Sequence, residues 1–332
     1  EYFISPAGQD AQPGDARTAA WSTFRHAFSR LQPGDTLTVL PGEYRESFET
    51  RTVSGAAGRP IAIRAEQPGT AHLRGDIAVE SFQRVPNTLY TWMAAVDTPV
   101  EGVAEGSTLR QYVYVGSPEE VEFVRGSFAF DEKSRRLYVR TSDGAPPAHH
   151  ALSVSITNGH GFSFDRATDM VIEGLRFSGY NARFQTDTET HRNRWGLHFR
   201  NSERLVVRNC QFYFNGGGVG FRQVKDVLVE QCVSIANDSR HFASNACIFT
   251  WGPAERVTYR NNLVHSTTSR GLRFYVGGSL TVNTFAGSDV VTFDDTNVVG
   301  RTSIDLGAGT VSYTHLRAHE TKANLVCRLL LE

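Results

Sequence analysis

Apolar positions in the second half of the chain fall into short strands that share one signature. It occurs as Gly161-Phe-Ser-Phe164, Gly196-Leu-His-Phe199, Gly218-Val-Gly-Phe221, Ala246-Cys-Ile-Phe249 and Gly271-Leu-Arg-Phe274, with starts 35, 22, 28 and 25 residues apart. A second apolar strand follows each of the first four: Met170-Val-Ile-Glu-Gly-Leu, Leu205-Val-Val-Arg-Asn-Cys, Val227-Leu-Val-Glu-Gln-Cys and Val257-Thr-Tyr-Arg-Asn-Asn. The step from first to second strand is 9, 9, 9 and 11 residues, whereas the return to the next first strand is 26, 13, 19 and 14. One corner of the repeat is therefore tight and another accepts insertions. Strands this short, with no room for a helix between them, cannot form a parallel sheet by βαβ crossovers, which need about a dozen residues or more. The pattern predicts an all-β chain wound as a parallel β-helix, in which each coil buries its apolar face against its neighbours.

Stacked coils put equivalent side chains in columns. Phe164, Phe199, Phe221, Phe249 and Phe274 are expected to point inward as one column, and Gly174, Asn209, Gln231 and Asn261 to occupy the next turn, where left-handed backbone suits Gly and Asn. Cys210 and Cys232 lie 22 residues, one coil, apart and read as buried small apolar residues rather than a disulfide. Alternation along the first strand leaves two outward columns. One is Ser163, His198, Gly220, Ile248 and Arg273; the other is Asp165, Arg200, Arg222, Thr250 and Tyr275.

Near the start, Phe24, Ala27, Phe28 and Leu31 follow helical spacing within Trp21 to Arg30, an amphipathic helix suited to plug the open end of the first coil. Tyr2-Phe-Ile-Ser-Pro-Ala-Gly-Gln-Asp10, Trp21-Ser-Thr-Phe-Arg-His-Ala and Leu31-Gln-Pro-Gly-Asp-Thr-Leu-Thr-Val-Leu-Pro-Gly-Glu-Tyr-Arg-Glu46 resemble the opening of secreted right-handed β-helix proteins of the pectin-lyase-like superfamily. The resemblance implies a secreted, carbohydrate-active protein, and the superfamily includes polysaccharide lyases, glycoside hydrolases, epimerases and non-catalytic spikes. The expected organisation is a cap with the first coils over 1–74, an inserted antiparallel β lobe over 75–151, and the main coils over 152–310. From about Val311 to Glu332 the texture changes, and the segment resembles translated adapter sequence found at the ends of unrelated metagenome proteins, so 311–332 reads as a non-native tail.

Composition narrows the partner. Thirty-four Lys plus Arg against 35 Asp plus Glu give a net charge of -1, which favours neither nucleic acid nor an anionic membrane. No stretch reaches the roughly 20 apolar residues of a membrane helix. The chain reads as a monomer. Only Lys133, Lys225 and Lys322 are lysines, so the basic groups are nearly all arginines, whose planar fork matches carboxylates.

These arginines shape the expected site. Arg200, Arg222 and Arg273 beside His198 form a cationic strip suited to an acidic polysaccharide, framed by the inserted segments 180–195 and 235–245. Those segments bring Trp195, a candidate platform for a sugar ring, and His241, a candidate proton shuttle. The preferred reaction is β-elimination from a uronate polymer, with His198 or His241 as base and Arg273, Arg200 or Arg222 neutralising the substrate carboxylate. Asp165 and Tyr275 line the same face as substrate-binding groups. Hydrolysis would need two carboxyl groups on this face, for which Asp165, Asp238 and the aspartates after Gly287 are candidates. A non-catalytic carbohydrate-binding module is the third reading. Calcium held by Asp238 with Asp187 or Glu189 is a possible cofactor, although no calcium-loop or zinc spacing and no local Ser-His-Asp pattern occurs.

Overall fold

The computed structural model describes residues 1–50, 53–157, 159–183, 194–237 and 246–265 in full, and beyond them the backbone of seven short strands from Leu272–Val276 to Leu325–Cys327. The chain winds into coils whose strands all pair in parallel. In the coil direction, Phe162–Asp165 sits between Phe48–Thr50 and Trp195–Arg208, and the stack continues through Gly217–Glu230 and Ile248–Arg260. A separate parallel sheet of Gly42–Tyr44, Ala71–Arg74, Arg176–Ser178, Gln211–Tyr213, Val233–Ile235 and Leu263–His265 supplies a third side that the two-strand repeat did not reveal.

The corners repeat as faithfully as the strands. Arg166, Asn201 and Gln223 have positive φ, as do Asp169, Arg204, Asp226 and Arg256, and the expected turn column Gly174, Asn209, Gln231 and Asn261 does so at 73°, 53°, 55° and 56°. A left-handed residue turns the chain sharply without interrupting the ladder on either side, which explains why 14-residue strands can round a corner.

Inside, Phe164, Phe199 and Phe221 stack at centroid distances of 5.1 and 5.8 Å, and Phe177 lies 5.3 Å from Phe212. The phenylalanine column then breaks. Phe249 is opposite Gly220, on the outside, and Thr250 is opposite Phe221, on the inside. The volume lost at Thr250 is restored by the following strand, where Tyr259 stands opposite Val229 and its hydroxyl hydrogen-bonds Thr250 Oγ1. A one-residue bulge restores register: Arg222 faces Trp251, but Val224 faces Ala254. The 11-residue step in the sequence was the visible trace of this bulge plus a one-residue offset in where the strand begins. Cys210 and Cys232 are buried free thiols in adjacent coils.

A five-residue helix, Phe24–Phe28, covers the first coil. Thr23 caps it by accepting from the His26 N–H, while Phe24 and Phe28 pack against Phe162 at 4.8 and 5.2 Å. Leu31 packs beside this core. Between Asp76–Ala78 and Leu152–Ser155 the pairing becomes mainly antiparallel in two further sheets, which share a core of Val103, Tyr112, Phe128, Leu137 and Val154.

Candidate functional site

The first strands of successive coils place one outward column in the order Glu49, Ser163, His198, Gly220, Phe249 and Arg273. Beside it runs Asp165, Arg200, Arg222 and Trp251. The shift inside the coil thus changes the expected face: Phe249 replaces Ile248, and Trp251 replaces Thr250. Arg273 and Tyr275 lie on a described strand, but their side chains, like His241, Asp238, Asp187 and Glu189, lie outside the described residues.

An aromatic stack forms the floor. The rings of His160 and His198 are 5.3 Å apart and nearly parallel, Trp195 is 6.1 Å from His198, and Phe249 is 5.6 Å from Trp195. Trp195 is only 4% exposed, so it is packed into the wall and offers no open face for a sugar, contrary to expectation. Its seat requires glycine, since a Cβ at Gly217 or Gly220 would come within 2.3 or 2.8 Å of the indole. Trp251 is the half-buried tryptophan on this face, and the Arg222 guanidinium lies 4.4 Å over its ring.

Charge is distributed unevenly. Asp165 is buried and accepts from Asn201 Nδ2 at 2.8 Å and Arg200 Nη2 at 3.3 Å, so Arg200 is occupied and the expected strip of free arginines is reduced. Among the described residues, Arg222 has no carboxylate partner. His198 Nδ1 is 3.3 Å from Ser163 Oγ. Burial, then the nearby Arg200 and Arg222 charges, push its pKa down to about 3, so the ring is neutral near pH 7. His160, which is buried, is held well below the ordinary histidine value by desolvation, with the neighbouring His198 next. Its Nδ1 accepts from the Trp195 N–H at 3.1 Å, which leaves the proton on Nε2, 3.6 Å from Glu49 Oε1. Sequence reading missed Glu49 because the coil that holds Phe48–Thr50 lacks the Gly-apolar-Phe signature, and His160 because it precedes Gly161, outside the alternating positions of that signature.

The lobe assembles a serine, a histidine and two acids that local spacing did not show. His150 Nε2 is 3.1 Å from Asp143, while its Nδ1 is 2.9 Å from Glu105 and 3.3 Å from Ser107 Oγ. Ser107 donates to the same Glu105 carboxylate, which also receives Tyr112 and Ser142 hydroxyls. Both ring nitrogens of His150 face carboxylates, and Ser107 spends its hydroxyl proton on Glu105, so the geometry is a polar clasp within the lobe rather than a serine presented to its base. Among the described residues no group of three His, Cys, Asp or Glu side chains comes together to hold a metal ion.

Residues 148–291 match the family model described as the right handed beta helix region. The chain is a right-handed parallel β-helix. No curated protein matches it in sequence. Among solved structures it is similar to one titled "Glycoside hydrolase", with a TM-score of 0.60 and 11% identity, covering 96% of this chain and 89% of that one. It is also similar to "The complex structure of XylC with xylose", with a TM-score of 0.53 and 11% identity, covering 93% of this chain and 64% of that one, so it spans under two thirds of the latter's length. At such identity the likeness is one of fold.

Proposed function

We propose that this β-helix is a secreted carbohydrate-active enzyme whose groove is the face bearing His198, Arg222 and Trp251, and that it cleaves a uronate-containing polysaccharide by β-elimination. The observation that carries the reading is Arg222, a cation left without a carboxylate partner among the described residues, stacked on a half-buried tryptophan and next to a neutral histidine. A uronate carboxylate fits the first need and the apolar face of its ring fits the second. With that carboxylate neutralised by Arg222, the proton on the adjacent carbon becomes acidic. His198, unprotonated in the free protein, removes it, and the glycosidic oxygen across the new double bond departs. The docked carboxylate also offsets the arginine charges that depress His198, which raises its basicity when substrate is present.

Hydrolysis is the second reading, and Glu49 favours it. The register places Glu49 one strand away from Ser163, and Asp165 two residues beyond, a backbone separation of about 8 Å. Glu49 and Asp165 thus stand on neighbouring outward columns of adjacent strands, which supplies the two carboxyl groups that hydrolysis needs. The two similar structures named above bear titles of a glycoside hydrolase and a xylose complex.

The test is to incubate the full chain with uronate polymers and neutral glucans or xylans while following ultraviolet absorbance of unsaturated uronate and new reducing ends. Both signals on uronates support elimination. Reducing ends alone transfer the chemistry to Glu49 and Asp165, and binding without either signal leaves a carbohydrate-binding module.

A further inference from the structure

The aromatic floor depends on a turn that the lobe holds from outside the groove. Gln111, 3% exposed, belongs to the lobe, yet its Nε2 donates to the carbonyls of Asn215 and Ala236, both at 2.7 Å, and its Oε1 accepts from Asn181 Nδ2 at 2.9 Å. Asn215 and Ala236 occupy the same turn in successive coils, a turn further tied by Asn237 Oδ1, which accepts from both the N–H and the Nδ2 of Asn215. The next residues meet both ends of the segment leading to Trp195: the Gly216 N–H donates to Tyr180 O and the Gly217 N–H to Arg194 O, each at 2.8 Å. Gly217 is also part of the Trp195 seat.

A second lobe contact grips the same root. The Arg183 N–H donates to Glu101 Oε2 at 2.8 Å, its guanidinium pairs with Glu132, and it lies 5.3 and 5.5 Å over the rings of Tyr114 and Phe130. Thus a continuous chain of contacts runs from Gln111 through Asn215, Gly216 and Gly217 to Trp195, which packs near His198.

We infer that Gln111 is a positioning residue for glycan binding: through the turn at Asn215 it fixes the Trp195 and His198 rings, so the lobe sets how tightly a sugar polymer is held without touching it. This inference rests on the groove reading above. Leucine at position 111 keeps the volume but leaves two buried carbonyls without a donor, and the turn must shift or admit water.

The experiment compares wild type, Gln111→Leu and Gln111→Asn as full chains labelled with fluorotryptophan, whose four resonances come from Trp21, Trp92, Trp195 and Trp251. The Trp195 resonance, assigned with Trp195→Phe, is expected to move in Gln111→Leu while those of Trp21 and Trp92 stay. The dissociation constant for a uronic acid oligomer should rise about three- to tenfold, and kcat should fall as well because the displaced floor carries His198. Gln111→Asn should show a smaller change in the same direction. A Trp195 resonance that does not move, or one that moves with binding unchanged, overturns the inference. If wild type binds no glycan, the groove reading fails separately, and the resonance alone decides whether Gln111 governs Trp195.

Discussion

Two outward faces of the same coils carry arginines, and they treat them differently. On the second-strand face, register produces the alternation Arg64, Glu173, Arg208, Glu230, Arg260 across five coils. Arg64 and Arg208 reach Glu173 at 3.6 and 3.1 Å, and Arg260 Nε reaches Glu230 at 3.1 Å. At the corner Arg204 grips Asp169 through two 2.9 Å bonds, and Glu203, Lys225 and Glu255 alternate in the same way. Every charge here answers its neighbour, which favours one stacking register over a shifted one that would oppose like charges. Among the described residues of the first-strand face Arg200 is answered by Asp165, and Arg222 instead lies on Trp251. Under the proposed function, the arginine left without a carboxylate among the described residues of the first-strand face, Arg222, is the one that meets a ligand's charge.

Acidification should have the largest effect on stability, chiefly through the histidines of the first-strand face. His72, His160 and His198 all sit below the ordinary histidine value, mainly through burial, with His72 pushed down to about 4 and His198 to about 3. Below about pH 6.5 the unfolded chain takes up protons that the native rings refuse, so stability is complete above that pH and is lost as the pH falls toward the native values. The melting temperature is expected to drop between about pH 6.5 and 4, and His198→Asn should lessen the drop. A flat profile for wild type would contradict the burial assigned to these rings.

A smaller effect probes the slip that brings Phe249 and Trp251 outward. Tyr259→Phe leaves the buried Thr250 hydroxyl without its partner and should cost about 1 kcal/mol by denaturant unfolding. No cost would mean that Thr250 is not held inside by this pair. Smallest of all, Glu173→Ala leaves Arg64 and Arg208 facing each other without their carboxylate and should cost about 0.5 kcal/mol or less, declining with salt, with glycan binding intact. Weakened glycan binding in that variant would erase the distinction between the faces.

The coils and the turn column were legible because steric demands leave a local mark: a phenylalanine at the inward positions 164, 199 and 221, and a Gly, Asn or Gln at the left-handed positions 174, 209, 231 and 261. The third sheet was harder to see, since its three-residue strands carry too little alternation to register. Thr250 misled the reading because tertiary packing exchanged volumes across strands, Phe and Val in one coil becoming Thr and Tyr in the next. For the candidate site, His198, Arg222 and Asp165 were found by alternation alone. Trp195 was misjudged because its burial depends on two glycines in the next coil, and the pairing of Arg200 with Asp165 depends on rotamers that spacing does not encode. Gln111 and Glu49 come from parts of the chain that share no repeat with the main coils, and His160 stands just before the first signature, outside the alternation that was read, so only folding places them.

The most direct test of the central claim is a calorimetric titration of wild type, Arg222→Ala and Arg208→Ala with a uronic acid oligomer and, in parallel, a neutral xylan oligomer. Loss of a charge-assisted pair should weaken uronate binding by about tenfold or more in Arg222→Ala, with Arg208→Ala close to wild type and the neutral oligomer little affected. Equal losses in the two arginine variants, or equal losses for the charged and neutral sugars, would contradict the assignment of the Arg222 face as an acidic-glycan groove.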